Sequence, residues 1–311
     1  MSIRKQPWAR ALLLRLAPLL DAVMGGLTLA ILRAIRLTDR RRTADLCAWF
    51  MRKAGPWLPE HRVGRANLVA AFPDKPAAEI EHILAGVWDN LGRYAVEFAQ
   101  IERLRNSHPS LPDEDVVADP ATSAVFDEMR HDGKPALIFG AHVANWEVPG
   151  LVGVRHGLDL AVLFRPPNIR AVSDAVLKLR AGCMGTLVAT SLGAPVKLLR
   201  ILEANGHVAM LADQHFVKGV DVVFFGRPCK ANPLIAQLAR HIECPIHGTR
   251  TVRRREDKNR FTIEMTPAIV PARDHAGLID IAGTMQVITS VIEGWVREHP
   301  EQWLWLHRRW R

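Results

Sequence analysis

The sequence predicts an α/β fold, in which a mixed and mostly parallel sheet is flanked by helices, behind a helical N-terminal segment that binds a membrane. Two patterns predict it. Beyond about residue 120, short apolar runs alternate with segments of helical periodicity, and the first 40 residues combine a long apolar stretch with arginines. The chain has 311 residues, of which 49% are hydrophobic, so it can bury a large core and extensive disorder is excluded.

The first 40 residues predict an amphipathic helix at a membrane surface. From Leu16 to Leu32 only Asp21 is charged, and the uncharged run from Ala22 to Leu32 is shorter than the roughly 20 residues that span a bilayer. We therefore expect a helix that lies in the membrane interface with its arginines near anionic headgroups. The alternative is a helix that packs on the protein's own core. Residues 1–40 are assigned to this membrane-associating helix, and residues 41–311 to a single domain.

The rest of the chain predicts a helical region followed by alternating strands and helices. Apolar residues recur at helical spacing from Glu79 to Gln100, and the stretch from Asn106 to Pro120, rich in Pro, Asp and Ser, predicts a loop. Strands are predicted at Ala136 to Ala141, Leu160 to Phe164, Thr186 to Ala189, Val208 to Leu211, Val222 to Phe225, Pro245 to Val252 and Phe261 to Met265. Helices are predicted at Ala171 to Arg180, Val196 to Ala204, Leu234 to His241 and about Asp280 to Glu298. This alternation favours helices on both faces of the sheet and a site at the strand ends.

The charge of the chain favours an anionic partner. It carries 41 Lys and Arg residues against 32 Asp and Glu residues, a formal net charge of +9, which suits a nucleic acid, a phospholipid surface or an acidic carrier protein. The sequence has no zinc-finger spacing, no aromatic RNA-binding signature and only short basic tracts, so we expect no nucleic-acid binding. Its four cysteines are far apart and form no Cys-x-x-Cys pair, so neither a zinc site nor a disulfide framework is expected.

His142 and Glu147 follow the predicted strand that ends at Ala141, where side chains can point into a crevice. A carboxylate beside a histidine holds the imidazole tautomer and stabilises the imidazolium that forms when the histidine takes a proton. Since the chain has no Gly-x-Ser-x-Gly motif and no cysteine beside this pair, the base would activate a hydroxyl of the substrate. By spacing alone, a solvated or structural pair is an equal alternative. A metal site is disfavoured, because a His-Glu-x-x-His motif and a close third ligand are missing.

Five further segments follow in a characteristic order. They are Leu163–Asn168, Arg180–Gly185, Leu211–Gln214, Phe224–Pro228 and Pro300–Trp310. Together with the motif Gly140-Ala141-His142-Val143-Ala144-Asn145-Trp146-Glu147, they resemble the lipid A biosynthesis acyltransferases of Gram-negative bacteria, specifically the late lauroyl-transferring type. The resemblance runs from about Arg62 to the C-terminus, and the number and order of its short motifs make it specific.

The resemblance implies a lysophospholipid-acyltransferase-like α/β fold, an N-terminal membrane anchor and a site at the cytoplasmic face of the cell inner membrane. The implied reaction moves a fatty acyl chain from acyl carrier protein to the hydroxyl of a hydroxyacyl chain on a lipid A precursor, with no cofactor beyond the thioester. On this basis His142 is the general base and Glu147 is its orienting partner. The attack on the thioester carbonyl develops an oxyanion, which needs positive charge or hydrogen-bond donors nearby.

The resemblance also implies further site residues. Arg165 corresponds to the arginine of the family's second conserved block and is expected to bind phosphate or to stabilise the oxyanion. Asp213 is expected to position Arg165 or Arg180, and Arg180, Asp213 and Asn145 are expected to contribute to substrate binding. The structural alternatives are a surface arginine for Arg165, a helix-dipole contact for Arg180 and a capping aspartate for Asp213.

Two other functions stay open at this point. A related acyltransferase could act on another glycolipid or on a lysophospholipid and use acyl-CoA as its donor. From a different class, the chain could be a non-catalytic membrane-binding protein that uses its basic amphipathic helix.

Overall fold

The computed structural model describes the backbone of residues 7–105, 114–167 and 170–310, with side chains from residue 21 in the first range and from residue 172 in the last. The strands within these ranges are β1 (Val116–Ala118), β2 (Ala136–Gly140), β3 (Leu160–Phe164), β4 (Thr186–Ala189), β5 (His207–Leu211), β6 (Val220–Phe224), β7 (Arg227–Ala231), β8 (Ile246–Arg253) and β9 (Phe261–Met265). Seven of them form one sheet in the order β1-β9-β8-β2-β5-β3-β4.

The sheet is mixed and mostly parallel, which confirms the predicted α/β class. Strands β8, β2, β5, β3 and β4 run parallel to one another, whereas β9 pairs antiparallel with β8 and β1 pairs parallel with β9. The carboxyl ends of β2, β5 and β3 therefore meet at one edge of the sheet, where the loops that follow them can share a site.

The helices are α1 (Pro7–Arg36), α2 (Arg40–Ala54), α3 (Pro59–Ala71), α4 (Ala77–Ala99), α5 (Pro120–His131), α6 (Val148–Arg155), α7 (Arg170–Ala181), α8 (Ala194–Glu203), α9 (Leu234–Ile242) and α10 (Ile281–Glu298). Successive residues of a strand point to opposite faces, so Leu137 and Phe139 enter a core with α8, α9 and α10, whereas Ala136 and Ile138 enter a second core with α5 and α6. Both faces of the sheet are thus covered.

The N-terminal helix α1 lies against α7, α4 and α2. Arg36 at its end forms an ion pair with Glu102 and donates to the carbonyl oxygen of Ala99, which fixes this end to the end of α4. Among the residues that the structure describes, no helix combines the length and the hydropathy needed to cross a bilayer. The association of α1 with a membrane surface, and the division at residue 40, stay predictions.

The structure differs from the sequence prediction in three segments, one of which is the strand β7, which was not predicted. The predicted loop from Asn106 to Pro120 contains the strand β1, which is only three residues long, and residues 106–113 lie outside the described ranges. The predicted strand Val222 to Phe225 is present as β6, but it pairs antiparallel with β7 in a separate two-stranded sheet. Phe225 and Gly226 make the turn of this hairpin, with φ angles of 53° and 68°.

Candidate active site

A cavity of about 700 Å³ opens at the carboxyl ends of β2, β3 and β5. His142, Glu147, Arg165 and Arg180 line it, together with residues of the loop that follows β5. Four of the six site residues predicted from the sequence therefore meet at one cavity. Asp213 and Asn145 lie behind its wall, since both side chains are buried.

The imidazole of His142 is held by Asp213. The Nδ1 atom of His142 lies 2.8 Å from Oδ1 of Asp213, and the backbone N–H of His142 donates to Oδ2 of the same carboxylate at 2.8 Å. An ionised carboxylate only accepts hydrogen bonds, so Nδ1 carries the proton and the lone pair is on Nε2. Because the His142 residue lines the cavity, this arrangement makes an imidazole available there that can act as a base.

Asp213 is an anchored anion beneath the histidine. Its side chain is fully buried and accepts a third hydrogen bond, from Nε1 of Trp303 to Oδ2 at 2.8 Å. Burial raises the pKa of the Asp213 carboxyl, but attraction to the His142 ring in its protonated form and the hydrogen bonds that His142 donates outweigh burial, so this pKa is well below its ordinary value. Asp213 therefore stays ionised and can stabilise a positive charge on His142.

Glu147 makes its hydrogen bonds elsewhere, which corrects the predicted pairing with His142. Arg180 binds both of its carboxylate oxygens, with Nε to Oε2 at 2.9 Å and Nη2 to Oε1 at 2.5 Å. The hydroxyl of Tyr94 donates to Oε1 at 3.0 Å. The sequence had predicted that Asp213 positions Arg165 or Arg180. Asp213 instead binds His142 and Trp303.

Tyr94, the chain's single tyrosine, was missed by the sequence analysis because it lies between the apolar residues of α4 that form the helical stripe. Its ring stacks on Trp146 with the centroids 3.8 Å apart. Burial, and then the charge of Glu147, raise the pKa of the Tyr94 hydroxyl well above its ordinary value, so it remains a donor. The ring and its hydroxyl thus fix both Trp146 and Glu147 at the cavity wall.

The segment that carries His142 is held in an unusual conformation. Ala144 has a φ of 48°, in the left-handed region that a residue with a side chain adopts at a cost of about 1 kcal/mol. Its backbone N–H donates to the carbonyl oxygen of Gln302 at 2.9 Å, and its own carbonyl oxygen accepts from Nδ2 of Asn90 at 3.1 Å. The C-terminal segment and α4 together therefore impose this turn.

Asn145 also supports this turn from below and has no contact with the cavity. Its side chain is 0% exposed and donates to Oε2 of Glu97 at 3.1 Å. Glu97 is itself paired through both oxygens with Arg253, at 2.6 and 3.0 Å. This corrects the expectation that Asn145 binds substrate, because the described geometry gives it a supporting place under the loop.

Two further side chains flank the imidazole. The side-chain amide nitrogen of Gln214 lies 3.3 Å from Nε2 of His142 and faces the lone pair of this nitrogen. His307 stands on the other side, with its ring centroid 6.5 Å from that of His142, and its Nδ1 is 2.5 Å from the carbonyl oxygen of Leu304. Burial lowers the pKa of His307, so its ring is neutral near pH 7 and adds no competing charge.

Replacing Glu147 with glutamine is expected to lower the free energy of unfolding by about 3 kcal/mol, because Arg180 would keep its charge in a mostly buried position without a carboxylate. Chemical denaturation of the two proteins measures this difference. The control is Glu79→Gln, which removes the carboxylate of a surface pair with Lys75 and should change stability by no more than about 0.5 kcal/mol. Equal losses in both variants would show that the buried pair has no special role.

The His142 imidazole and the Asp213 carboxylate have the geometry of a general base and its orienting partner. Among the residues that the structure describes, no group of three or more His, Cys, Asp and Glu side chains could hold a metal ion. The cavity continues from the imidazole into an apolar interior, and Arg165, whose side chain is exposed, stands on its wall. A base, a cation on the wall of the same cavity and an apolar chamber can together serve the transfer of a long-chain group to an alcohol.

Comparison with known proteins identifies one family. The sequence model of the family described as bacterial lipid A biosynthesis acyltransferase matches residues 19–311, which is nearly the whole chain. Comparison with curated proteins finds no match.

Proposed function

Because the chain belongs to the bacterial lipid A biosynthesis acyltransferase family, and is therefore an acyltransferase, we propose that it moves a lauroyl chain from acyl carrier protein to a hydroxyacyl chain of a lipid A precursor. The observation that supports the proposal best is the His142–Asp213 pair at the mouth of an apolar cavity. A pair of this kind serves acyl transfer by removing the proton of the attacking hydroxyl.

The first step joins the acceptor to the acyl group. The acceptor hydroxyl takes the place of the Gln214 amide beside Nε2 of His142, and its oxygen attacks the thioester carbonyl carbon while its proton passes to Nε2. The carbonyl π electrons move to oxygen, which becomes an oxyanion. Asp213 stabilises the imidazolium formed in this step, since its carboxylate stays ionised next to Nδ1.

The second step releases the carrier. The oxyanion re-forms the carbonyl, the carbon–sulfur bond breaks with its electron pair on sulfur, and the imidazolium returns the proton to the departing thiolate. The charge of Arg180 is balanced by Glu147, so we assign stabilisation of the oxyanion or of the donor's phosphate to Arg165. An ester on the acceptor and a free thiol on the carrier are the products.

The membrane surface is the proposed location of this reaction. On α1 the apolar side chains of Val23, Met24, Leu27 and Ile31 are exposed, at successive turns of one face. Trp49 and Phe50 on α2 and Trp57 in the turn that follows it are exposed as well. Such a face suits an in-plane contact with the cytoplasmic leaflet of the inner membrane, where the acceptor would be met.

Trp303→Phe is expected to lower kcat by about ten- to a hundredfold with little change in KM. The phenyl ring keeps most of the packing but cannot donate to Asp213, and a hydrogen bond to a charged group contributes about 1.5–3 kcal/mol. Steady-state kinetics with both substrates varied measure the two constants. A large rise in KM with unchanged kcat would mean that Trp303 only shapes the binding site.

The proposal is tested by acyl transfer with purified protein, lauroyl-acyl carrier protein and a tetra-acylated lipid A precursor. A product heavier by one lauroyl group is expected. Parallel reactions with lauroyl-CoA, and with a lysophospholipid as acceptor, decide between donors and acceptors; a faster reaction with either would replace that part of the proposal. Binding to phospholipid vesicles without transfer from any donor would instead support a non-catalytic membrane-binding protein.

A further inference from the structure

The main cavity continues inward from His142 along one face of the sheet. Its floor is formed by Ile138 of β2, Val162 of β3 and Ala209 of β5, which all point to the face that α6 covers. Pro149 and Gly150 of α6 form the opposite wall. Because these residues carry only apolar side chains or none, this inner part suits a hydrocarbon chain.

A second and much smaller cavity, of about 30 Å³, lies beyond this inner end. Five residues line both cavities: Ile138, Pro149, Gly150, Ala209 and Thr249. The remaining wall of the small cavity consists of Phe126, Gly153, Leu158, Leu160 and Met265. The two spaces therefore share a wall, and the five shared residues form the constriction between them. The small cavity has room for about two further groups of the size of a water molecule or a methylene.

We propose that this constriction, with Ile138 on the sheet side and Gly150 on the helix side, sets the length of the acyl chain that the protein transfers. The inference rests on the proposed function, because it takes the thioester carbonyl to lie beside His142. The methyl end of the chain then stops between Ile138 and Gly150, and a chain longer by one or two carbons has to enter the small cavity.

The distance along β2 sets the scale of this chain. His142 follows Ile138 by four residues, which is about 13 Å for an extended backbone. An extended hydrocarbon with bonds of about 1.5 Å advances about 1.3 Å per bond, so about ten bonds fit between the two residues. A donor of about ten to twelve carbons therefore reaches the constriction, which is compatible with the proposed lauroyl group.

A methyl group at position 150 takes up space at the wall of the main cavity without moving the backbone. A Cβ built on Gly150 would meet the Met184 side chain at 3.5–3.8 Å, which is ordinary van der Waals contact. Met184 lines the main cavity, so the new methyl group would occupy space at the cavity wall. Gly150 also lies inside α6, where alanine is the better helix former. Gly150→Ala is thus expected to fold and to shorten the space for the chain.

Smaller side chains at position 138 should lengthen the space for the acyl chain, the opposite of the effect expected for Gly150→Ala. Ile138→Ala removes the side chain that stands between the two cavities and joins them. Ile138→Val removes a single methyl group and keeps the β-branched shape that a strand favours, so it is the milder variant.

The test compares kcat/KM for a series of straight-chain acyl-carrier-protein donors that differ by two carbons. Gly150→Ala should shift the preference by at least about tenfold toward the next shorter donor, and Ile138→Ala by a similar factor toward the next longer one, as expected for one or two methylenes in an apolar pocket. If Ile138→Ala does not fold, Ile138→Val should give a shift of a few-fold in the same direction. The matched control is Gly294→Ala in α10, where a Cβ meets nothing within 4 Å and the donor profile should stay that of the wild type.

The outcomes separate the inference from the function on which it rests. Wild-type protein that transfers no chain from any donor would overturn the proposed function. Active wild type whose donor profile is unchanged by both Gly150→Ala and the Ile138 variants, or is shifted by both in the same direction, would overturn the constriction alone.

Discussion

Replacing Asp213 with asparagine is expected to lower kcat for acyl transfer by about 10⁴-fold, the loss seen when the carboxylate that orients a catalytic histidine is made neutral. The geometry gives a specific reason. The backbone N–H of His142 and Nε1 of Trp303 both donate to Oδ2, so the amide oxygen of asparagine would take that place. Its NH₂ group would then face Nδ1 of His142 and force the proton to Nε2, where the base must be unprotonated.

Steady-state kinetics and denaturation together test this prediction. The stability of Asp213→Asn should fall by only about 1–3 kcal/mol, because the two donors to Oδ2 keep an acceptor. Glu147→Gln provides the comparison, since a His142–Glu147 pairing would make that variant the inactive one. Should Glu147→Gln lose the larger share of kcat while Asp213→Asn stays active, the assignment of Asp213 to the histidine would be wrong.

His142→Ala is expected to lower kcat by about 10⁴-fold or more, because the imidazole serves first as the base for the acceptor hydroxyl and then as the acid for the leaving thiol. The side chain is 14% exposed at the cavity, so its removal leaves the core intact and the fold should persist. Kinetics of wild type and variant with saturating donor measure the loss. A variant with wild-type kcat would exclude His142 from the reaction.

A variant that combines His142→Ala with Asp213→Asn tests whether Asp213 acts through His142. If Asp213 acts only through His142, adding Asp213→Asn to His142→Ala should cost little further activity, since groups that act as a unit are strongly non-additive. Independent, multiplying losses would indicate that Asp213 contributes to catalysis by another route.

The sequence identified the strands well and the partner of His142 poorly, for a physical reason. Apolar runs mark buried strands whatever their neighbours are, and β3, β4 and β9 have the predicted bounds. Pairing between strands leaves no such local signal. Gly140 at the end of β2 is in register with Leu211 at the end of β5, so the residues two positions further on, His142 and Asp213, meet although 71 residues separate them. Spacing alone favoured the nearer carboxylate, Glu147.

Other contacts of the site also join segments that are distant in the chain, so the sequence did not reveal them. Trp303 lies in the C-terminal segment that the sequence analysis had recognised. Its hydrogen bond to Asp213 forms because this segment packs against the loop after β2, where Val143 and Trp303 form an isolated β-bridge. Tyr94 carried no signal within its helical stripe, and Asn145 was placed in the substrate site by its position in the motif alone. The strand β1 was too short for an alternating pattern to stand out from its loop.

The most direct measurement is mass spectrometry of lipid A from cells that produce the wild-type protein, from cells that lack it, and from cells in which the His142→Ala variant replaces it. We expect lipid A from the second and third cells to lack one ester-linked acyl chain that the wild-type protein restores. Lipid A of unchanged mass in cells without the protein, or restoration of the missing chain by His142→Ala, would contradict this expectation.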